Sequence, residues 1–147
     1  MSTMSTQTVV RSYSFGTTLP ISYQAAIDRV RAALKDQGFG VLTEIDVQAT
    51  MKARLDVDFR PYIILGACNP PLALRALSSV LGIGLLLPCN VIVYDNGDGT
   101  SSVEALDPEA ALALVGSNPQ VAEVAHEARA RLEHVISALR SPSRWPD

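Results

Sequence analysis

Two cysteines carry the chemistry that stands out in this sequence. Cys68 and Cys89 each lie at the edge of an apolar run, and each is followed by an asparagine, Asn69 and Asn90. Two thiols and two amides could form a soft metal site, a redox pair or a ligand pocket. The competing interpretation is that both cysteines are small buried hydrophobic residues, as free cysteines usually are. The 20 residues between them, 69–88, exclude a CxxC motif.

Cys68 is the candidate reactive group because a helix is predicted to begin directly after it. Asn69 is a good helix N-cap, and the two prolines behind it suit a first helical turn. The helix that they start would place Cys68 beside its N-terminus, where the partial positive charge favours the thiolate. This arrangement makes a thiol-dependent redox enzyme one hypothesis.

Other candidate groups are weaker. His126 and His134 fall off the apolar stripe of the last predicted helix, which favours solvated surface positions. The acidic stretch 95–99 lacks the ligand positions of a calcium loop and predicts a hairpin turn. No phosphate-binding loop, dinucleotide glycine pattern or nucleophile elbow is present in the sequence.

Composition restricts the class of protein. The 147 residues suit one domain, and a hydrophobic content of 48% with 18% charged residues argues against disorder. A formal charge of −3 gives no basic footprint for nucleic acid. No apolar run reaches the roughly 20 residues of a membrane span, and no signal pattern opens the chain. We therefore expect a cytoplasmic protein that binds neither nucleic acid nor membrane, with both cysteines as free thiols.

Apolar periodicity predicts the elements that position the cysteines. Helical spacing begins after Ser22 and ends at Gly38, and a second long stripe runs from 121 to 139. Short helices are predicted over 47–55, after Asn69 and after Asp107. Strand patterns cover 9–15, 41–47, 62–67, 89–94 and 100–106, and 16–20 is predicted as a turn.

This order predicts an α+β fold. We expect a single-domain sandwich over 8–139, with a mostly antiparallel five-stranded sheet, helices packed on one face, and flexible termini at 1–7 and 141–147. Strands 62–67 and 91–94 are apolar on both faces, so the face without helices should expose apolar groups. A monomer seldom leaves such a patch bare, which predicts a homodimer through this open sheet face.

Five stretches of the sequence resemble domain-of-unknown-function family 302. They are Gly38-Phe39-Gly40-Val41, Arg60-Pro61-Tyr62, Leu65-Gly66-Ala67-Cys68-Asn69-Pro70, Leu87-Pro88-Cys89-Asn90-Val91 and Asp107-Pro108. The resemblance implies a compact β-α-β(4)-α domain, similar to the TATA-binding-protein-like fold and often dimeric. It implies no activity, and a shared fold is not a reason to expect DNA binding.

Three hypotheses for function are consistent with these residues. The first is a small dimeric binding domain that holds a small molecule or metal near Cys68, Asn69, Cys89 and Asn90. The second is the thiol-dependent redox enzyme, using Cys68 with Cys89. The third is a purely structural partner-binding domain. The sequence favours the non-catalytic binding domain because no histidine is placed to serve as a base for a nucleophile.

Overall fold

The computed structural model describes residues 7–141 of the chain. The strands are β1 Gln7–Val10, β2 Ser14–Leu19, β3 Gly40–Asp46, β4 Tyr62–Cys68, β5 Cys89–Asp95 and β6 Ser101–Leu106. The α-helices are α1 Tyr23–Asp36, α2 Val47–Leu55, α3 Pro70–Ser79, α4 Pro108–Leu112 and α5 Pro119–Leu139. Two 3₁₀ helices, Leu81–Leu86 and Ala113–Val115, come after α3 and α4.

The strands form one antiparallel sheet in the order β1-β2-β6-β5-β4-β3. Five of these strands, β2 to β6, form the body of the sheet, and the four-residue β1 lies outside β2 at one edge. This arrangement confirms the predicted α+β class and the antiparallel sheet.

The N-terminal strand differs from the prediction. The region predicted as one strand over 9–15 contains a turn, closed by a hydrogen bond from the Arg11 amide to the Ser14 carbonyl of 2.8 Å. The predicted turn 16–20 instead holds most of β2, which pairs with β6. Gly16 explains this placement, because a Cβ there would lie 2.8 Å from the Glu104 Cα of β6. Glycine here permits close strand contact rather than a turn.

One face of the sheet packs against α1 and the C-terminal half of α5. Alternate strand residues face these helices, among them Leu65, Val91, Val93 and Val103, all fully buried. The predicted stripe of α5 is confirmed, since all eight of its residues are buried: Val121, Val124, Ala125, Ala128, Leu132, Val135, Ile136 and Leu139. The N-terminal half of α5 forms a second core cluster with α3, α4 and the first 3₁₀ helix.

Side-chain caps begin the helices at four of the predicted positions. Ser22, Asp46, Asn69 and Asp107 each accept a hydrogen bond from a backbone amide in the first turn of the next helix. Asn118 caps α5 in the same way, with bonds from the Gln120 and Val121 amides of 3.1 Å. The Asn69 cap therefore fixes the start of α3 directly after Cys68, the last residue of β4.

The open face is the side of the sheet opposite α1 and α5. Its middle is more polar than predicted, because it contains the buried carboxylate of Glu104. Glu104 has β2 on one side, and on the other side it has β5 with the half-buried residues Ile92 and Tyr94. Helix α2 buries none of its own residues.

The termini predicted to be flexible lie almost wholly outside the described residues. Of those two segments only Gln7, in β1, and Ser141 are described. No helix in the described part of the chain is long and apolar enough to cross a membrane.

Candidate functional site

An apolar cavity of about 260 Å³ lies where the two core clusters meet. Phe39 and Ala67 line it from the sheet side, and Leu72, Ala76 and Val124 line it from α3 and α5. Both cysteines and Asn69 also line this cavity. Three of the four residues singled out in the sequence therefore meet at one site.

The strand register explains how Cys89 reaches the cavity. Cys89 pairs with Ala67 of β4, and Ala67 faces the helix-covered core, so the two side chains share that face. Cys68 is the last residue of β4, directly before the Asn69 cap of α3. Both cysteines are free and partly buried.

Burial sets the protonation of both thiols. Loss of hydration raises the pKa of the Cys68 thiol above its usual value. Burial, with a smaller contribution from neighbouring Cys68, raises the pKa of the Cys89 thiol to about 11. The α3 N-terminus was expected to favour the Cys68 thiolate, and burial of the thiol acts in the opposite direction. Both groups are neutral thiols at pH 7.

Asn69 and Asn90 differ in burial and in the part of the structure that they line. Asn69 is buried, and its Oδ1 accepts a hydrogen bond of 3.3 Å from the Leu72 amide. Asn90 is exposed and pairs with Gly66, so its side chain lies on the open face, away from the cavity. The repeated Cys-Asn pattern does not create two equivalent half-sites.

The donor set of the cavity does not suit a metal ion. No group of three or more His, Cys, Asp or Glu side chains comes together within residues 7–141. His126 and His134 are both exposed on α5, as predicted. The Nδ1 atom of His126 lies 3.5 Å from Glu109 Oε2. Neither histidine lines the cavity that contains the thiols.

A bulge in β3 adds a residue that periodicity did not single out. The pairing of β3 with β4 shifts between Val41 and Thr43, and Leu42 lies in the shift. Leu42 is 66% exposed yet lines the cavity, which places it at the mouth. A bulge is set by strand pairing, and strict alternation along the sequence does not reveal it.

The open face holds a second group of interacting side chains, which sequence reasoning also missed. Glu104 Oε1 accepts hydrogen bonds from Arg11 Nε at 2.6 Å and Ser14 Oγ at 2.9 Å. Glu104 Oε2 accepts from Arg11 Nη2 at 3.1 Å and from Tyr94 Oη at 3.3 Å. Hydrogen bonding from Arg11 lowers the pKa of Glu104, which is ionised at neutral pH. These partners lie up to 93 positions apart in the chain.

Comparison with known proteins agrees with this architecture. The antiparallel sheet with helices against one face defines a small α+β domain. The chain belongs to the family described as Domain of unknown function DUF302, whose profile matches residues 15–139. It is similar to the crystal structure of an uncharacterized conserved protein of that family from Bacillus stearothermophilus. The two share 29% identity and superpose with a TM-score of 0.74, covering 92% of this chain and 98% of the other. The search of curated proteins gave no match.

Proposed function

We propose that this protein is a small dimeric binding domain whose cavity beside Cys68 and Cys89 takes a small, neutral, apolar molecule. The observation that carries the proposal is the cavity itself, about 260 Å³ of space lined almost entirely by apolar side chains. Apolar pockets with few polar groups are typical of small-molecule sites. A cavity of about 150 Å³ is enough to bind benzene. This one suits a molecule somewhat larger than a single ring.

The neutral state of the thiols supports a neutral ligand. A charged ligand would lose its hydration in this cavity without gaining a charged partner. Protonated sulfur is polarisable and makes favourable contacts with aromatic rings. Cys68 and Cys89 are therefore ligand-contacting residues in this proposal, and Asn69 acts through the backbone of α3.

The alternative, a thiol-dependent redox enzyme using Cys68 with Cys89, has less support. A reactive cysteine needs a lowered pKa, and burial acts on both thiols in the opposite direction. A metal held by Cys68 and Cys89 lacks further ligands from the described residues. The proposal assigns the protein to the cytoplasm, where free thiols are the ordinary state.

The dimer part of the proposal uses the β3–β4 half of the open face. Ile45 of β3, 49% exposed, pairs with Ile64 of β4. Phe59 is 41% exposed, and its ring lies near that of Tyr62 at the start of β4. Because β3 is an edge strand and α2 buries none of its residues, this corner has little cover from its own chain. A second copy would cover it with the same apolar groups. The Ile45→Asp variant should shift a concentration-dependent dimer to monomer in light scattering.

Leu85→Asp is the matched control for the dimer, since Leu85 is 93% exposed on the first 3₁₀ helix. It should leave the mass unchanged. A wild-type protein that stays monomeric at every accessible concentration would remove the dimer from the proposal. The cavity would be unaffected.

Ligand binding is tested by titrating the protein with indole and with a short alkyl alcohol while measuring heat or fluorescence. Saturable binding with a Kd of about 1 mM or tighter is expected for at least one probe. Ala73→Phe should abolish it, because Ala73 lines the cavity from α3. Ala122→Phe, at an exposed position of α5, should bind as the wild type does. Equal binding by the two variants would refute the cavity as the site.

A further inference from the structure

We propose that the open face carries a second binding site, in which Arg11 recognises the carboxylate or phosphate group of a small ring-containing organic anion. The site lies on the other side of the sheet from the cysteine cavity. It goes beyond the proposed function and does not depend on it.

The site is a concave region of about 500 Å³. Arg11, Tyr13 and Asn90 line it together with Tyr62, Tyr94 and Ile92. Glu104 and Ser14 also line it, so the lining combines the Arg11–Glu104 ion pair, several hydroxyl or amide groups and an apolar base. Such a mixture of apolar surface with a few placed polar groups is typical of sites for small organic molecules.

Glu104 fixes the orientation of Arg11. The carboxylate is 5% exposed and accepts two hydrogen bonds from one edge of the guanidinium, at Nε and Nη2. Ser14 and Tyr94 hold the same carboxylate in place from two other strands. A guanidinium held in this way loses little further freedom when it binds an anion.

The other edge of the guanidinium remains able to donate. Arginine has five N–H donors, and the bonds to Glu104 use two of them. The Arg11 side chain is 45% exposed and lines the concavity, and in this proposal its remaining donors bind the anion there. Planar pairing with a carboxylate or phosphate is the arrangement that arginine makes better than lysine.

The tyrosines favour a ligand with a ring. Tyr62 and Tyr94 are stacked, with centroids 5.4 Å apart and an angle of 7° between their planes. Tyr13, at 58% exposure, lines the same site, so its ring is accessible to a bound ligand. Aromatic side chains contribute both apolar area and preferred stacking geometry.

Breaking this ion pair would lower stability, but a partly exposed sheet face does not require an ion pair at this position to be stable. Buried ion pairs often contribute no more to stability than apolar residues of similar volume. The neighbouring Ile92 and Ile64 show that apolar residues are accommodated on the open face. An ion pair held by residues of three strands at a concave surface is better explained by recognition.

The test is an NMR and calorimetric titration of the full chain with benzoate and phenyl phosphate. Benzamide serves as the neutral counterpart and inorganic phosphate as the ion without a ring. At least one ring-bearing anion should bind with a Kd of about 1 mM or tighter and shift the amide signals of Ser14, Ile92 and Tyr94. Benzamide should bind about tenfold more weakly or worse. Benzoate binding alone would identify a carboxylate site, and phenyl phosphate alone a phosphate site.

Arg11→Gln should weaken the binding by about tenfold or more. Arg11→Lys keeps the charge opposite Glu104 if the glutamine variant is unstable, and it should also bind more weakly because its donors are not planar. Arg31→Gln is the matched control, since Arg31 pairs with Glu44 away from this site. The proposal is overturned if neither ring-bearing anion binds, if both Arg11 variants bind normally, or if inorganic phosphate binds as tightly as phenyl phosphate.

Discussion

Cys89 is the antiparallel partner of Ala67, and this pairing turns its side chain toward the helix-covered face of the sheet. The next residue, Asn90, pairs with Gly66 and lies on the open face. One step along β5 therefore separates the cysteine cavity from the Arg11 site. The two sites are back to back across β5.

The ionisation of Cys89 should make stability depend on alkaline pH. The Cys89 thiol has a pKa of about 11 in the folded protein and an ordinary pKa of 9.0. The contribution of the neutral thiol to the free energy of unfolding is therefore fully present below pH 9.0. It is lost as pH rises from 9 toward 11, by on the order of 2 to 3 kcal/mol. Urea unfolding at pH 8 and pH 10.5 should show a larger loss for the wild type than for Cys89→Ala.

Burial also raises the pKa of Tyr23, Tyr62 and Cys68, but their ionisation is common to both proteins and cancels in the comparison. Equal losses for wild type and variant would mean that the Cys89 thiol ionises as easily in the folded chain as in the unfolded one. That result would contradict a buried position for Cys89.

Alkylation in the native protein should be slow and ordered. Raised pKa values leave little thiolate at pH 7, so both cysteines should react more slowly than in the unfolded chain. Cys68 should react before Cys89, whose pKa is raised to about 11. Mass spectrometry of iodoacetamide-treated protein measures both rates. Fast reaction of Cys68 near pH 6 would revive the redox hypothesis.

Gly16→Ala should destabilise the fold strongly. A Cβ at Gly16 would meet the backbone of Val103 and Glu104, which cannot move aside as a flexible side chain would. We expect a loss of about 3 kcal/mol in the free energy of unfolding, measured by urea denaturation. Gly82→Ala is the control, since no atom lies within 4 Å of the added Cβ. A neutral Gly16→Ala would show that β2 and β6 are not in close contact.

Glu104→Gln should lower stability at neutral pH and matter less in acid. The lowered pKa means that the carboxylate contributes stability above its ordinary value of 4.5, and this is lost as pH falls through the folded pKa. A loss of about 1–3 kcal/mol is expected at pH 7 because Arg11, Ser14 and Tyr94 lose their charged acceptor.

Thermal or urea unfolding at pH 7 and pH 3 measures this difference. Glu44→Gln removes the more exposed carboxylate that pairs with Arg31 and should change stability by about 0.5 kcal/mol or less. If the cost of Glu104→Gln were the same at both pH values, the ion pair with Arg11 would not be its cause.

Local signals predicted much of this fold. The stripe of α5 and the caps at Ser22, Asp46, Asn69 and Asp107 depend on residues within one or two turns of each other, so the sequence displays them directly. The strand limits around the cysteines were predicted to within one residue. These limits did not show that Cys68 and Cys89 lie near one another, because that proximity comes from the pairing of β4 with β5.

The rest depends on contacts between distant parts of the chain. The turn at 11–13 contains no glycine, proline or asparagine, so the alternation continues through it. The bulge at Leu42 exists only through pairing with β4. Arg11 and Glu104 are 93 positions apart, and no local pattern links them. The burial that raises the pKa of the Cys68 thiol also comes from tertiary packing, which no local pattern displays.

The most direct test of the cavity as a ligand site is a map of which amide and methyl signals move when indole is titrated into isotopically labelled protein. We expect saturable shifts confined to the cavity lining, including Cys68, Leu72, Ala73, Ala76, Cys89 and Val124. Signals on the open face, such as those of Tyr94 and Glu104, should stay unchanged. Shifts at the open face with none at the cavity, or no saturable shift at all, would contradict a ligand site beside the two cysteines.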